Sequence, residues 1–178
     1  GEGGAREGRF RGTEALCGRA GALTGPGFEP CPEVAAFVRG GARLLVVGAG
    51  GLGCELLKDL ALLGFGHLEV VDMDTIDETN LNRQFLFRLE DVGKPKAEVA
   101  AARVSQRVSG CRVVPHFCRL EDKPPEFYRQ FHVVVMGLDS VEARGWVNDM
   151  CCSFLEFDAQ GEADRSSILR LLISSFSP

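Results

Sequence analysis

An α/β domain is predicted for this chain of 178 residues, a mostly parallel sheet with helices on both faces, and three stretches predict it. The run Arg43-Leu44-Leu45-Val46-Val47 enters a glycine cluster, Gly48-Ala49-Gly50-Gly51-Leu52-Gly53, and continues into Leu52, Leu56, Leu60 and Leu63 at helical spacing. A second run, His67-Leu68-Glu69-Val70-Val71, follows and ends on Asp72. Strand, helix and strand within about 30 residues form a βαβ unit, whose strands lie parallel with a right-handed crossover. A third run, His132-Val133-Val134-Val135-Met136, ends on Gly137-Leu138-Asp139-Ser140. The first and third runs are apolar almost throughout rather than alternating, which suits strands covered on both faces.

Taken in order, residues 1–27 are dominated by Gly, Arg, Ala and Glu without periodicity. Such a composition cannot bury enough apolar surface to offset chain entropy, so disorder is expected there. The chain begins with Gly rather than Met, so a missing or processed start is expected. Phe28–Phe37 reads as an extended lead-in and a short helix from about Glu33, with Pro32 suited to its start. Gly64 caps the first long helix. Ala97, Ala100, Ala101, Val104 and Val108 share one face of a helix opened by Gly93-Lys94-Pro95-Lys96. Val113–Phe117 is a candidate strand, and Pro124–Phe131 a short helix with Phe127 and Tyr128 turned inward. Ala143, Trp146, Val147, Met150, Cys151 and Phe154 form the buried stripe of another helix, and Trp146 is read as core. Glu156–Arg165 is loop-like, and Ile168–Ile173 has the pattern of one more strand.

A formal net charge of −5 argues against nucleic-acid and membrane-surface partners, which select for excess Lys and Arg. No apolar run approaches the roughly 20 residues that span a bilayer, and a soluble cytoplasmic or nuclear protein is expected. Seven scattered cysteines without a C-x-x-C pair fit neither a zinc site nor a disulfide framework. Cys54, Cys151 and Cys152 read as small buried hydrophobes in a reducing compartment, and His67, His116 and His132 as structural groups at or near strand ends.

The chemistry concentrates where strands end. Gly48, Gly50 and Gly53 fit G-x-G-x-x-G, with Gly51 as a fourth glycine, and a helix N-terminus behind such a loop is suited to phosphate. By itself that pattern is equally a plain turn. Asp72 stands where a carboxylate reaches a ribose hydroxyl. The loop after it, Asp72-Met73-Asp74-Thr75-Ile76-Asp77-Glu78-Thr79-Asn80-Leu81-Asn82-Arg83-Gln84-Phe85, packs acids, amides and one arginine together. Lys96 sits at a helix start, where the macrodipole disfavours a cation unless an anion also binds. A solvated lysine with Arg83 in a surface ion pair is the plain alternative. Arg83 and Lys96 together beside the glycine loop point to a polyphosphate. Asp139 offers the single carboxylate that Mg²⁺ uses beside bound phosphates, and its plain alternative is a helix N-cap, a role Ser140 can share.

Several motifs in order resemble one family. Gly48–Lys58, Asp72–Asp77, Asn80–Arg88, Lys94–Ala97 and Gly137–Ser140 are similar to the adenylation-site motifs of the ubiquitin-like-modifier-activating enzymes and their bacterial ThiF/MoeB-like relatives. Within the family, Phe28-Glu29-Pro30, Val114-Pro115-His116-Phe117 and Phe127–His132 most resemble the branch that serves neddylation. The resemblance implies a Rossmann-like adenylation domain over residues 28–168, incomplete at its C-terminal side, with residues 169–178 a divergent tail. It assigns Asp72 to the ATP ribose, Asn80, Arg83, Gln84 and Lys96 to the phosphates, and Asp139 to Mg²⁺. Gly48, Gly50, Gly51, Gly53 and Asp74 complete the nucleotide-binding set, and Arg83, Lys96 and Asp139 are the catalytic candidates. Implied partners are a ubiquitin-like modifier of the neddylation type and a regulatory subunit in a heterodimer. The implied reaction is MgATP-dependent adenylation of the modifier's C-terminal glycine. No cysteine here matches the family's thioester-forming cysteine. A non-catalytic remnant that occupies the heterodimer partner is the rival reading. An NAD-dependent oxidoreductase is another, which leaves Arg83, Lys96 and Asp139 without a task.

Overall fold

The computed structural model describes residues 10–21, 24–25, 27–155, 159 and 170–173. In chain order these form α1 (Arg11–Cys17), α2 (Pro32–Ala36), a π turn (Phe37–Gly41), β1 (Arg43–Val47), α3 (Gly51–Leu63) and β2 (His67–Val71). Then follow α4 (Lys96–Arg107), β3 (Arg112–His116), α5 (Pro125–Arg129), β4 (Val133–Met136), α6 (Val141–Cys152) and β5 (Arg170–Ile173), with short 3₁₀ turns between them.

The five strands form one sheet in the order β3-β2-β1-β4-β5, and every pairing is parallel. The chain winds outward from β1 through β2 to β3, then returns to place β4 on the other side of β1. Strand order therefore reverses between β1 and β4, and crossover loops splay apart outside the carboxyl ends of those two strands. In sheets of this kind ligands bind in that crevice. The predicted α/β, Rossmann-like fold is the one observed.

Each strand of the centre supplies both layers because its side chains alternate. Leu44 and Val46 of β1, with Leu68 and Val70 of β2, pack beneath α3 and α4 against Cys54, Leu57, Ala61, Ala97, Ala100 and Val104. Leu45 and Val47 turn the other way with Val71, Val134 and Met136, toward Tyr128, Phe131, Val147, Cys151 and Phe154. Leu45, Val46 and Val47 have no measurable solvent exposure, as a central parallel strand requires.

Three details differ from the sequence reading. The leucine stripe of α3 is only partly its core face: Leu56 and Leu60 pack against the core half-buried, Leu52 and Leu63 are exposed, and Cys54, Leu57 and Ala61 are fully buried. Small residues let this helix approach the sheet closely, which leaves Leu52 and Leu63 at its flanks. Residues 1–27 are not structureless throughout, because Arg11–Cys17 is helical. Phe10 lies against Gly64, the Thr13 hydroxyl donates to the Leu63 carbonyl at 2.7 Å, and Glu14 pairs with Arg39. Composition cannot anticipate such tertiary anchors; residues 1–9 lie outside the described residues. The third correction concerns Cys152, read as a buried small hydrophobe and in fact exposed at the end of its helix, whereas the burial of Lys96 removes the plain alternative of a solvated lysine. The predicted loop at Glu156–Arg165 falls almost wholly outside the described residues, as does the tail beyond Ile173.

Candidate functional site

The glycine loop is shaped by contacts between backbones. Gly48 takes φ +93°, and a β-carbon there would meet the Gly137 carbonyl oxygen at 2.9 Å. A β-carbon on Gly53 would stand 1.9 Å from the Gly48 oxygen, and one on Gly137 2.9 Å from the Gly53 nitrogen. The ends of β1 and β4 and the first turn of α3 therefore touch with no room for side chains. Gly50 differs, with φ −74° and nothing within 4 Å of where its β-carbon would stand. Its lack of a side chain leaves open space above the free N–H groups of the helix start, a cradle suited to an anion.

Asp72 binds this loop to β2. Its Oδ2 accepts from the Ala49 N–H at 2.6 Å and its Oδ1 from the Asp74 N–H at 2.7 Å, while its own N–H donates to the His116 carbonyl at 3.1 Å. Burial raises the Asp72 pKa, and the two N–H bonds only partly offset that rise. Each carboxylate oxygen still has a lone pair for a further donor, which is what a ribose hydroxyl is. His116 serves the frame: its Nε2 lies 2.7 Å from Glu69 Oε2, and Lys123 Nζ lies 3.0 Å from its Nδ1.

The long loop after β2 folds back on itself. Ile76 donates to the Lys94 carbonyl, Gly93 donates to Ile76, and Thr75 bridges Pro95, so residues 77–92 leave and return at one point. Asp91, almost fully buried, accepts from the Arg88 N–H at 3.0 Å, Lys94 Nζ at 2.9 Å and Arg103 at 3.1 Å. Burial pushes the Asp91 pKa up, but the Lys94 and Arg103 bonds outweigh it and hold the carboxyl below its usual range. The sequence reading overlooked this anchor, although the acid and base three residues apart in Asp91-x-x-Lys94 was a visible signal.

That loop presents the remaining candidates. Asn80 is buried, and its Oδ1 accepts from the Asp77 N–H at 2.9 Å, leaving its amide N–H₂ as donor. Gln84 is 3% exposed, with a side-chain oxygen that has no partner among the described residues. Arg83 is exposed and donates to the Thr79 carbonyl at 3.0 Å; its own carbonyl is 3.3 Å from where a β-carbon on Gly51 would stand. Arg83 thus crosses the first turn of α3, and it forms no ion pair among the described residues. Lys96, 8% exposed at the first turn of α4, places Nζ 2.8 Å from Asp74 Oδ2.

Beyond β4, Ser140 caps α6 by accepting the Ala143 N–H at 3.3 Å. Asp139 is therefore released from capping, and its exposed carboxylate makes no hydrogen bond or ion pair among the described residues. Arg144 donates to the Leu138 carbonyl at 2.8 Å and holds the turn that carries Asp139. No group of three His, Cys, Asp or Glu suited to a metal occurs among the described residues. A lone carboxylate fits Mg²⁺ that takes its other oxygens from water and phosphate.

Contacts thus join the glycine loop, Asp72, Asp74, Lys96 and Arg83, with Asp139 two residues from the Gly137 contact. The donor set of backbone N–H groups, one arginine and one lysine, beside one free carboxylate, fits a nucleotide with Mg²⁺. A cavity of about 460 Å³ lies away from this crevice, by α1 and α2 toward the amino ends of β1 and β2, lined by Cys31, Pro32 and Arg39 among others. Burial pushes the Cys54 thiol up to about 12 and Cys111 and Cys151 to about 11, which makes these three poor nucleophiles.

Comparison with known proteins follows the same lines. The chain is 58% identical over 160 residues to the NEDD8-activating enzyme E1 catalytic subunit of Arabidopsis thaliana, covering 90% of this chain and 35% of that protein. It is 54% identical to the protein of that name from Caenorhabditis elegans, covering 92% and 38% respectively. The chain thus spans a little over a third of the length of these curated relatives. Among solved structures it matches E. coli tRNA N6-threonylcarbamoyladenosine dehydratase, TcdA, with TM-score 0.67 and 27% identity, covering 96% of this chain and 61% of that one. TcdA in complex with ATP matches with TM-score 0.67 and 28% identity, over 95% of this chain and 59% of that one. The model of the ThiF family matches residues 40–157, more than half of the chain. This chain belongs to the ThiF family.

Proposed function

We propose that this chain is the nucleotide-binding part of a catalytic subunit that activates a ubiquitin-like modifier of the neddylation type. The observation that carries the reading is Lys96: a buried cation at a helix start, joined through Asp74 and Asp72 to a glycine loop with open space above it. A dinucleotide oxidoreductase gives that lysine no task. The likeness to TcdA in complex with ATP and to the NEDD8-activating catalytic subunits supports ATP as the nucleotide and a modifier as its partner.

In the proposed reaction a carboxylate oxygen of the modifier's terminal glycine forms a bond to the α-phosphorus. The bond from that phosphorus to the bridging oxygen breaks, and pyrophosphate leaves with the electron pair. The attacking carboxylate is already ionised and needs no general base. Asp72 would hold the ribose. Asn80, Arg83, Gln84 and Lys96 would surround the phosphates, and Asp139 would hold Mg²⁺, which when bound neutralises charge on the phosphate oxygens. Arg83 and Lys96 supply fixed positive charge where phosphoryl charge develops, at no cost of reorganisation. A regulatory subunit would complete the heterodimer.

Modifier-dependent exchange of pyrophosphate into ATP by the whole protein with its partner subunit tests the reading. Arg83→Ala and Asp139→Ala each lower exchange by 10²-fold or more, on the order of losing one preorganised charge contact; normal exchange in either variant removes the site assignment. Calorimetry of this chain with MgATP separates the reading from that of a non-catalytic remnant, for which no heat of binding is expected.

A further inference from the structure

Asp74 stands between the two groups on which a nucleotide site here depends. Its N–H donates to Asp72 Oδ1 at 2.7 Å, its carbonyl accepts the Lys96 N–H at 3.0 Å, and its Oδ2 pairs with Lys96 Nζ at 2.8 Å. One residue therefore grips the end of β2 and the start of α4 with its backbone, and the lysine's charge with its side chain. The burial is unequal: the Lys96 side chain is 10% exposed and that of Asp74 55%. The ammonium depends on the carboxylate far more than the carboxylate on the ammonium, because an unpaired buried cation is costly while a half-exposed carboxylate is solvated. No other anion bonds to Lys96 among the described residues.

We propose that Asp74, which the family resemblance groups with the nucleotide-binding residues, is instead a positioning residue that acts on a bound nucleotide through Lys96 and makes no contact with the nucleotide or its metal. This rests on the nucleotide reading of the same site. The carboxylate holds Lys96 in one rotamer at the mouth of α4 and leaves two of the three ammonium donors for phosphate oxygens. Without it the lysine loses its counter-charge and its fixed position, and the phosphates lose a preorganised partner. The two backbone bonds of Asp74 survive a side-chain change, so Asp72 keeps its place.

A double-mutant cycle tests this on the full chain, with MgATP and adenosine as calorimetric probes. Asp74→Asn weakens MgATP binding about tenfold or more, the scale of one charge-assisted contact, and leaves adenosine binding unchanged. In a Lys96→Met background the same Asp74→Asn change costs nothing further. Additional loss in that background, or weaker adenosine binding, overturns the proposal in favour of direct contact; unaltered MgATP affinity in the single variant overturns it as well. A second readout needs no nucleotide. The Lys96 ammonium of the free protein gives a slowly exchanging ¹⁵N signal, which Asp74→Asn abolishes; an unchanged signal overturns the positioning role. Absence of MgATP binding by the unsubstituted protein, with that ammonium result as expected, counts against the nucleotide reading and leaves the Lys96–Asp74 pairing standing.

Discussion

The Gly48 carbonyl oxygen lies 1.9 Å from where a β-carbon on Gly53 would stand, so strand β1 and helix α3 meet through a contact that admits only hydrogen. Nothing comparable surrounds Gly50, two residues into the loop. The glycines of one motif therefore have separate physical jobs, and the jobs separate experimentally.

Gly53→Ala forces the Gly48 carbonyl aside and costs on the order of 3 kcal/mol or more, as overpacking against backbone does. Gly50→Ala fits without strain and leaves the melting temperature within about a degree of the parent. It nevertheless places a methyl group where a phosphate would approach, so MgATP binding falls while stability does not. Thermal melts and calorimetry on the two variants check the contrast; equal melting temperatures would refute it.

Asp72→Asn tests the conflict between function and stability. Burial raises the Asp72 pKa. A raised carboxyl contributes stability below its unfolded value, about 3.9, and loses that contribution as pH rises through the folded value. At pH 7 the ionised carboxylate is therefore a burden on the fold that a neutral amide lifts, but the amide also turns an N–H₂ donor toward one of the two backbone N–H groups that Asp72 accepts, and that bond is lost. The variant melts below the parent, by a difference that widens as pH falls toward 4 and the parent's carboxyl takes up its proton; thermal melts across that range measure it. Nucleotide binding is lost.

Asp91→Asn has the opposite sign. Arg88, Lys94 and Arg103 donate to this buried carboxylate, and its pKa is held down. Its contribution is complete above about pH 4 and is lost as pH falls through the folded value. The substitution removes on the order of 1–3 kcal/mol near neutrality. Parent and variant converge in acid, which denaturant titrations at pH 7 and pH 3 measure.

Cysteine reactivity gives a direct check on packing. Cys54 is buried with its thiol pushed up to about 12, whereas Cys152 is exposed. A maleimide at pH 7.5 labels Cys152 in the native protein and spares Cys54, Cys111 and Cys151 until denaturant is added. Rapid native labelling of Cys54 would contradict the close seat of α3 on the sheet.

Much of the fold was legible because it is written in local patterns. Leu44–Val47, His67–Val71 and Val133–Met136 carry strand signals, and Gly48, Gly64 and Pro95 mark where elements start or stop. The core face of α3 was legible only in part. Leucines outrank Cys54 and Ala61 in hydrophobicity, yet contact with a sheet at close range selects small side chains, and only the packed structure reveals the spacing. The helix Arg11–Cys17 escaped for a related reason, since its anchors on Leu63, Gly64 and Arg39 lie far off in sequence. At the site, residue types pointed to phosphate chemistry before any geometry. The division of labour between Asp139 and Ser140, and the burial of Lys96 against Asp74, needed tertiary contacts to emerge.

By itself the sequence determined a parallel α/β sheet, a glycine turn between β1 and α3, and a set of charged residues gathered after the strands. Periodicity and turn chemistry act over a few residues and survive in the unfolded chain. Tertiary structure alone decided which of those charges are paired, which are buried and which stay free. Ion pairs such as Lys96–Asp74 join residues 22 apart, and their worth depends on the water excluded around them, a property no stretch of sequence possesses until it is packed.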